Sequence, residues 1–383
     1  ILNGGNSAPG ADARAPSERW LALADEFYTA SLDANGHPAI PILCATDAVH
    51  GHNNIVGATL FPHNIGLGAT RNLELVQHIG AITAREMIVT GIDWTFAPTL
   101  AVVRNNCWGR TYESYSEDPA IVAQYAQAMV KGLQGELGTD SFLSDQQVLA
   151  TAKHFIGDGG TQRGKDQGNN IDSEADLRDY HGAGYPAAID AGVQTVMASF
   201  SAWHGQRMHG CKPLLTDVLK ERMGFNGFVV GDWNGHAQVP GCSTKSCPAA
   251  FNAGIDMFMA PDDWRQLYKN TVAQVMSGTI PRSRLEDAVR RILRVKLRLG
   301  LFEKPKPSER PLAGNYALLG HPNHQTVAQQ AVRESLVLLK NNGNLLPLQT
   351  DQTILVTGSG ADNISQQTGG WTLSWQGTDR KSV

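Results

Sequence analysis

At 383 residues the chain is too long for one typical core and too short for three ordinary domains of about 150 residues each. Hydrophobic residues at 42%, charged residues at 18% and 40 glycines exclude disorder as the main state and describe a loop-rich globular protein. With 32 basic against 36 acidic side chains, a net charge of -4 and no block of Lys or Arg, no nucleic-acid partner is expected, and no apolar run approaches the ~20 residues of a membrane span.

The chain opens on Ile1-Leu2-Asn3-Gly4-Gly5, which reads as the end of a strand entering a glycine turn and so as a truncated start. From Pro41 to Phe302 short apolar runs alternate with polar loops and segments of helical period, the pattern of βα units. Strands are expected at Ile40–Ala45, Ile92–Ala97, Leu149–His154, Gln194–Ser199, Gly227–Gly231 and Gly254–Met259, close to the eight of a barrel. Helices are expected at Leu73–Thr90, Ile121–Leu137, Glu174–Ala191, Leu214–Arg222 and Trp264–Ser277. A last helix carries Leu285, Ala288, Val289, Ile292, Val295 and Leu299 on one stripe, with Ser283 and Glu286 fitting a capping box and Gly300 a left-handed stop.

Residues 304–311, with three prolines among charges, favour solvent and mark the best domain boundary. Beyond it a helix is expected at Thr326–Leu339 and a strand at Thr353–Thr357. The stretch from His50 to Thr70 has no helical period and reads as a long loop on the face where barrels build sites. Cys242 and Cys247 could close a small disulfide loop, leaving Cys44, Cys107 and Cys211.

Asp232 follows the strand Gly227–Gly231 directly, at the rim where barrel enzymes keep reactive groups. It could cap a turn, or, with Trp233 against the apolar face of a sugar ring, reach an anomeric carbon. Lys153 and His154 end another strand; the lysine could form a Schiff base, hold hydroxyls, or pair with a carboxylate. Asp47 and Arg110 fit vicinal hydroxyls as well as an internal salt bridge. His50, His52 and His63 match no metal-ligand spacing, so neither metal nor cofactor is expected. Gly358-Ser359-Gly360 lacks the third glycine of a dinucleotide loop, since Asn363 stands there, while Trp371 and Trp375 between glycines suit sugar stacking.

Taken together, Thr46-Asp47-Ala48-Val49-His50-Gly51, Trp108-Gly109-Arg110-Thr111-Tyr112-Glu113-Ser114, Lys153-His154-Phe155, Gly231-Asp232-Trp233 and Ser335-Leu336-Val337-Leu338-Leu339-Lys340-Asn341 resemble glycoside hydrolase family 3, in its β-glucosidase and exo-glucan hydrolase branch. The N-acetylglucosaminidase branch fits less well, because its Lys-His-Phe-Pro-Gly-His-Gly loop is here Lys153-His154-Phe155-Ile156-Gly157-Asp158-Gly159. The resemblance implies an α/β protein: a (β/α)8 TIM-like barrel over residues 1–303 with its first strand cut, a Pro-rich linker at 304–318, and an incomplete α/β sandwich domain over 319–383. It implies that Asp232 is the nucleophile of a retaining mechanism, that Asp47, Arg110, Lys153 and His154 hold a terminal glucosyl unit, and that Trp233 and Trp375 clamp the next unit, while Trp371 stays a candidate substrate-binding residue of the same glycine-flanked loop. Phe200 replaces a tyrosine common in the family, so a hydroxyl near the nucleophile is expected to be lost.

The family's acid/base is a glutamate expected beyond Val383, so the fragment is expected to be impaired. Expected partners are β-linked glucosides or gluco-oligosaccharides, and the expected location is the periplasm or outside the cell. The competing readings are a non-catalytic carbohydrate-binding fragment and a Schiff-base barrel lyase using Lys153.

Overall fold

The computed structural model describes residues 1–2, 7–32 and 38–377. Asn3, Gly4 and Gly5 of the expected opening turn lie outside the described residues, while Leu2 makes a parallel bridge to Ala45. That bridge begins a run of parallel pairings taken in chain order. Ala45–Thr46 pairs with Trp94–Thr95, Trp94 bridges Leu149, Thr151–Phe155 pairs with Thr195–Ala198, that strand pairs with Phe228–Val230, and Val230 bridges Met257. Every expected strand up to Met259 therefore contributes to the ladder, although most keep only two to five residues of regular strand.

The strands hold together through a shared interior. Leu43, Trp94, Phe96, Leu149, Met197, Phe228, Val230 and Met259 meet in one buried cluster, with the Trp94 ring edge-on to Phe96 and Phe228 at 4.9 and 5.3 Å between centroids. The Trp94 indole N–H donates to the hydroxyls of Thr151 (2.8 Å) and Thr195 (3.0 Å), so the polar atoms this core encloses are paired.

Outside the strands, helices Leu73–Val89 and Pro119–Gln134 pack closely because both crossing points are glycine. A Cβ on Gly132 would stand 2.2 Å from the Gln77 carbonyl oxygen, and one on Gly80 3.0 Å from Gly132 Cα. Asn72 and Asp118 cap these helices by accepting from the Leu75 and Ala120 N–H groups.

Several elements differ from the sequence expectation. A helix at Ser17–Leu32 was not anticipated, although Trp20, Leu21, Ala24 and Tyr28 form its buried stripe. Inside the expected loop 50–70, Asn64–Thr70 is helical despite two glycines; a Cβ on Gly68 would fall 1.8 Å from the Tyr115 carbonyl, so contact rather than propensity selects the residue. The expected helix over Glu174–Ala191 is broken into a short turn, a wide turn at Leu177–His181 and a helix at Gly184–Asp190. The last helix before the proline-rich segment starts at Arg282 behind Pro281, so Ser283 lies inside its first turn and makes no capping box; Gly300 adopts the expected left-handed φ of 66°.

The proline-rich segment is docked rather than solvated. Ser308 binds Asp25, the Tyr28 hydroxyl donates to the Lys304 carbonyl at 2.9 Å, and Arg310 is buried against Asp93. The next helix spans Pro322–Ser335 and stops short of the expected Leu339; Leu336 turns extended and Leu336–Leu339 are exposed. Thr353–Thr357 forms no regular strand and pairs with no ladder partner among the described residues. Asn363 caps a short helix, Ile364–Thr368. Cys242 and Cys247 form the disulfide, and Cys44, Cys107 and Cys211 are free.

Candidate functional site

At the C-terminal ends of the parallel strands lies a cavity of about 300 Å³. Asp47, Arg110, Lys153, His154, Phe200, Asp232, Trp233, Trp371 and Trp375, the nine residues singled out in the sequence, all line it. Asp166, Gln167, Met197, Gln238 and Met259 complete the wall and were not anticipated.

Two consecutive residues, Lys153 and His154, reach the same cavity from one strand, where side chains ordinarily alternate. The register slips between Ala152 and Phe155, and this irregularity re-aims the strand end. Lys153 is 1% exposed and its ammonium lies 3.0 Å from Asp47 Oδ1. That ion pair occupies the amine a Schiff base would need free. The Asp47 backbone is fixed in turn, because its carbonyl accepts from the Asn53 side chain at 2.9 Å.

Arg110 makes two hydrogen bonds to Glu113 (2.8 and 2.9 Å) and approaches His154 Nε2 at 3.1 Å. Since guanidinium can only donate, Nε2 accepts, and the imidazole proton sits on Nδ1, 2.9 Å from Asp158 Oδ2. Burial, then the charges of Arg110 and Lys153, hold His154 well below the usual histidine range, so it is neutral. Burial pushes Asp158 up to about 7 despite Arg110. For Glu113 burial acts upward but Arg110 outweighs it, and the carboxylate is held low. Glu113 and Asp158 stand three and four residues after Arg110 and His154, a spacing that was the available signal for both supports.

Asp232 Oδ2 lies 3.8 Å from His154 Nε2, and its Oδ1 accepts from the Trp233 N–H at 2.7 Å. Its own N–H donates to His209 Nε2 at 2.9 Å. Burial raises the Asp232 carboxyl to about 6, with Arg110 and Lys153 opposing and Asp47 adding to the rise. A carboxylate poised in this way is ionised at neutral pH yet weakly solvated.

Residues 369–377 close one side of the cavity. The Asn53 side chain donates to the Trp371 carbonyl at 2.7 Å, and the Leu373 N–H donates to the Asn53 carbonyl at 2.8 Å. Trp371 is buried with its ring 5.2 Å from Lys153 Nζ, so it packs behind the cation, whereas Trp233 and Trp375 are 41% and 39% exposed and present free faces. Phe200 brings no hydroxyl; its carbonyl accepts from Arg207 at 2.9 Å. His50, His52 and His63 bind Phe61, Thr90 and Thr368, and no metal-holding group of three or more ligands occurs among the described residues.

The family model described as the glycosyl hydrolase family 3 N-terminal domain matches residues 8–295. The chain is 36% identical to a lysosomal beta glucosidase of Dictyostelium discoideum, covering 94% of the chain and 45% of that protein. It is 33% identical to a periplasmic beta-glucosidase of Salmonella typhimurium, covering 88% and 43%. Among solved structures it is similar to an exo-1,3/1,4-beta-glucanase from a Pseudoalteromonas species, with a TM-score of 0.97 and 56% identity over 99% of this chain and 48% of that one. A beta-glucosidase from Listeria innocua solved with laminaribiose gives a TM-score of 0.81 and 28% identity, over 94% of this chain and 48% of that one. The chain thus spans less than half the length of these curated relatives.

Proposed function

The chain belongs to glycosyl hydrolase family 3, and on that premise we propose that it carries the nucleophile and sugar-binding half of a retaining, exo-acting β-glucoside hydrolase. Asp232 attacks the anomeric carbon, the C–O bond to the leaving group breaks, and the resulting glycosyl ester is hydrolysed by water with net retention. One observation carries this reading: a desolvated carboxylate, raised to about 6, shares a small cavity with Arg110, Lys153 and His154. Asp47, Arg110, Lys153 and His154 hold the terminal sugar hydroxyls, and Trp233 and Trp375 stack on the next unit. Trp371 backs Lys153, and Phe200 supplies an apolar wall. We assign the leaving-group proton to no residue of this chain.

We read residues 1–303 as a TIM-like (β/α) barrel, 304–318 as the connection and 319–383 as the beginning of an α/β sandwich. The chain-ordered parallel pairings and the shared aromatic interior support the barrel. Substrates are β-linked glucosides or gluco-oligosaccharides, in keeping with the names of the relatives. Periplasmic or extracellular residence agrees with relatives named periplasmic, and no helix among the described residues is long and apolar enough to cross a membrane.

The test is an activated 2-fluoro-glucoside, whose leaving group departs without acid assistance, followed by peptide mass spectrometry. A label on Asp232 is expected; a folded chain that takes no label there overturns the nucleophile assignment.

A further inference from the structure

We propose that His209 is a positioning residue that fixes the backbone of Asp232 through its unprotonated Nε2. The inference rests on the reading of Asp232 as nucleophile.

His209 lies outside every motif that points to the site, 23 residues before Asp232, and it is 2% exposed. Its Nε2 receives the Asp232 N–H at 2.9 Å. An N–H can only donate, so Nε2 carries no proton and the ring's own proton is on Nδ1, with the Ser199 backbone as its hydrogen-bonding neighbour. Ser199 follows strand Thr195–Ala198 and Asp232 follows Phe228–Val230, so one imidazole joins the ends of two adjacent strands. Burial keeps the ring neutral, with His236 acting in the same direction, so the acceptor persists across working pH.

The turn is shaped around the ring. A Cβ on Gly235 would lie 2.3 Å from His209 Nε2, so that glycine leaves room for the imidazole, while Gly231 packs against the other side of the ring at ordinary contact distance, 3.5 Å for a Cβ. The Gly235 N–H donates to the Asp232 carbonyl, and Trp233 N–H to its Oδ1. With these bonds made, the N–H of Asp232 is the remaining backbone group to be satisfied, and His209 satisfies it. Loss of that acceptor frees the carboxylate to drift from the anomeric carbon while leaving the hydroxyl-binding residues in place.

The experiment is labelling of Asp232 by the activated 2-fluoro-glucoside, with the inactivation rate constant and the reversible binding constant measured separately for wild type, His209→Ala and His209→Gln. The expected result is a rate constant lowered ~100-fold in His209→Ala, the cost of about an ångström of misplacement, with the binding constant within about threefold. His209→Gln, whose Oε1 can accept where Nε2 does, is expected to recover most of the rate. If His209→Ala does not fold, His209→Asn replaces it, since its shorter acceptor falls short of the Asp232 N–H. A wild-type rate in the alanine or asparagine variant, equal losses in rate and binding, or no recovery in His209→Gln overturns the inference while Asp232 remains the nucleophile. Absence of label in the wild-type chain overturns both.

Discussion

Arg110 grips Glu113 through two hydrogen bonds of 2.8 and 2.9 Å and reaches His154 with the same guanidinium nitrogen that makes the second. Glu113 is 3% exposed and does not line the cavity, and Arg110 is its foremost charged partner, so its charge serves to aim Arg110 and keep it ionised. Glu113→Ala is expected to destabilise the fold by about 3–5 kcal/mol, the cost of leaving one partner of a buried pair alone. Chemical denaturation measures it; a change below about 1 kcal/mol would show that water or another carboxylate replaces Glu113.

The Asp232 carboxyl, raised to about 6 by burial, sets the pH dependence. The attacking form is the anion, so the second-order labelling rate should be level above about pH 7 and fall tenfold per unit well below 6. A limb near pH 4 would show a solvated, unperturbed carboxylate.

The same shift makes Asp232, the proposed nucleophile, costly to the fold. Its folded value lies above the unfolded one near 3.8, so the folded state binds the extra proton and stability falls as pH rises between about 4 and 6, then levels. Asp232→Asn removes that cost and is expected to stabilise the protein at pH 7 by on the order of 1–3 kcal/mol, with little gain at pH 3.5. Equal stability of the two proteins at both pH values would refute the linkage.

Much of this site was legible because its residues follow strand ends or sit in short, unusual words such as Gly231-Asp232-Trp233 and Lys153-His154-Phe155. The supports were harder to read. Glu113 and Asp158 lay inside quoted motifs, three and four residues after Arg110 and His154, but that spacing alone does not separate a buried carboxylate that aims another side chain from a solvated one. Asp166 and Gln167 enter the cavity from a turn and Gln238 from a single short helical turn, Gly235–Gln238, where no periodicity reports direction. The strand series was readable from apolar runs, whereas the Asn64–Thr70 helix was hidden by its two glycines, of which Gly68 is required by close contact with Tyr115. Docking of 304–311 was missed because its charges suggested solvent, and only the fold brings Asp93 to Arg310 and Asp25 to Ser308.

Helix packing offers a test independent of the site. Gly132→Ala places a methyl group 2.2 Å from the Gln77 carbonyl and forces the two helices apart. A loss of about 1–3 kcal/mol is expected on denaturation, with sugar binding retained by the fraction that folds. Gly109→Ala, where nothing lies within 4 Å of the added carbon, is the control and should change little.

Trp375 and Trp233 present comparable exposed faces at the cavity mouth, and the stacking assignment distinguishes them from the buried Trp371. Trp375→Ala is expected to weaken a disaccharide such as laminaribiose about tenfold or more, close to 1.4 kcal/mol, while glucose binding changes by less than about threefold. Trp371→Ala should instead weaken both ligands together, because the indole it removes lies against Lys153, the cation we assign to the terminal sugar. Calorimetric titration of the two sugars into each variant separates these outcomes. If Trp375→Ala weakened glucose as much as the disaccharide, its ring would belong to the terminal-sugar pocket, and the second stacking position would have to be sought elsewhere on the rim.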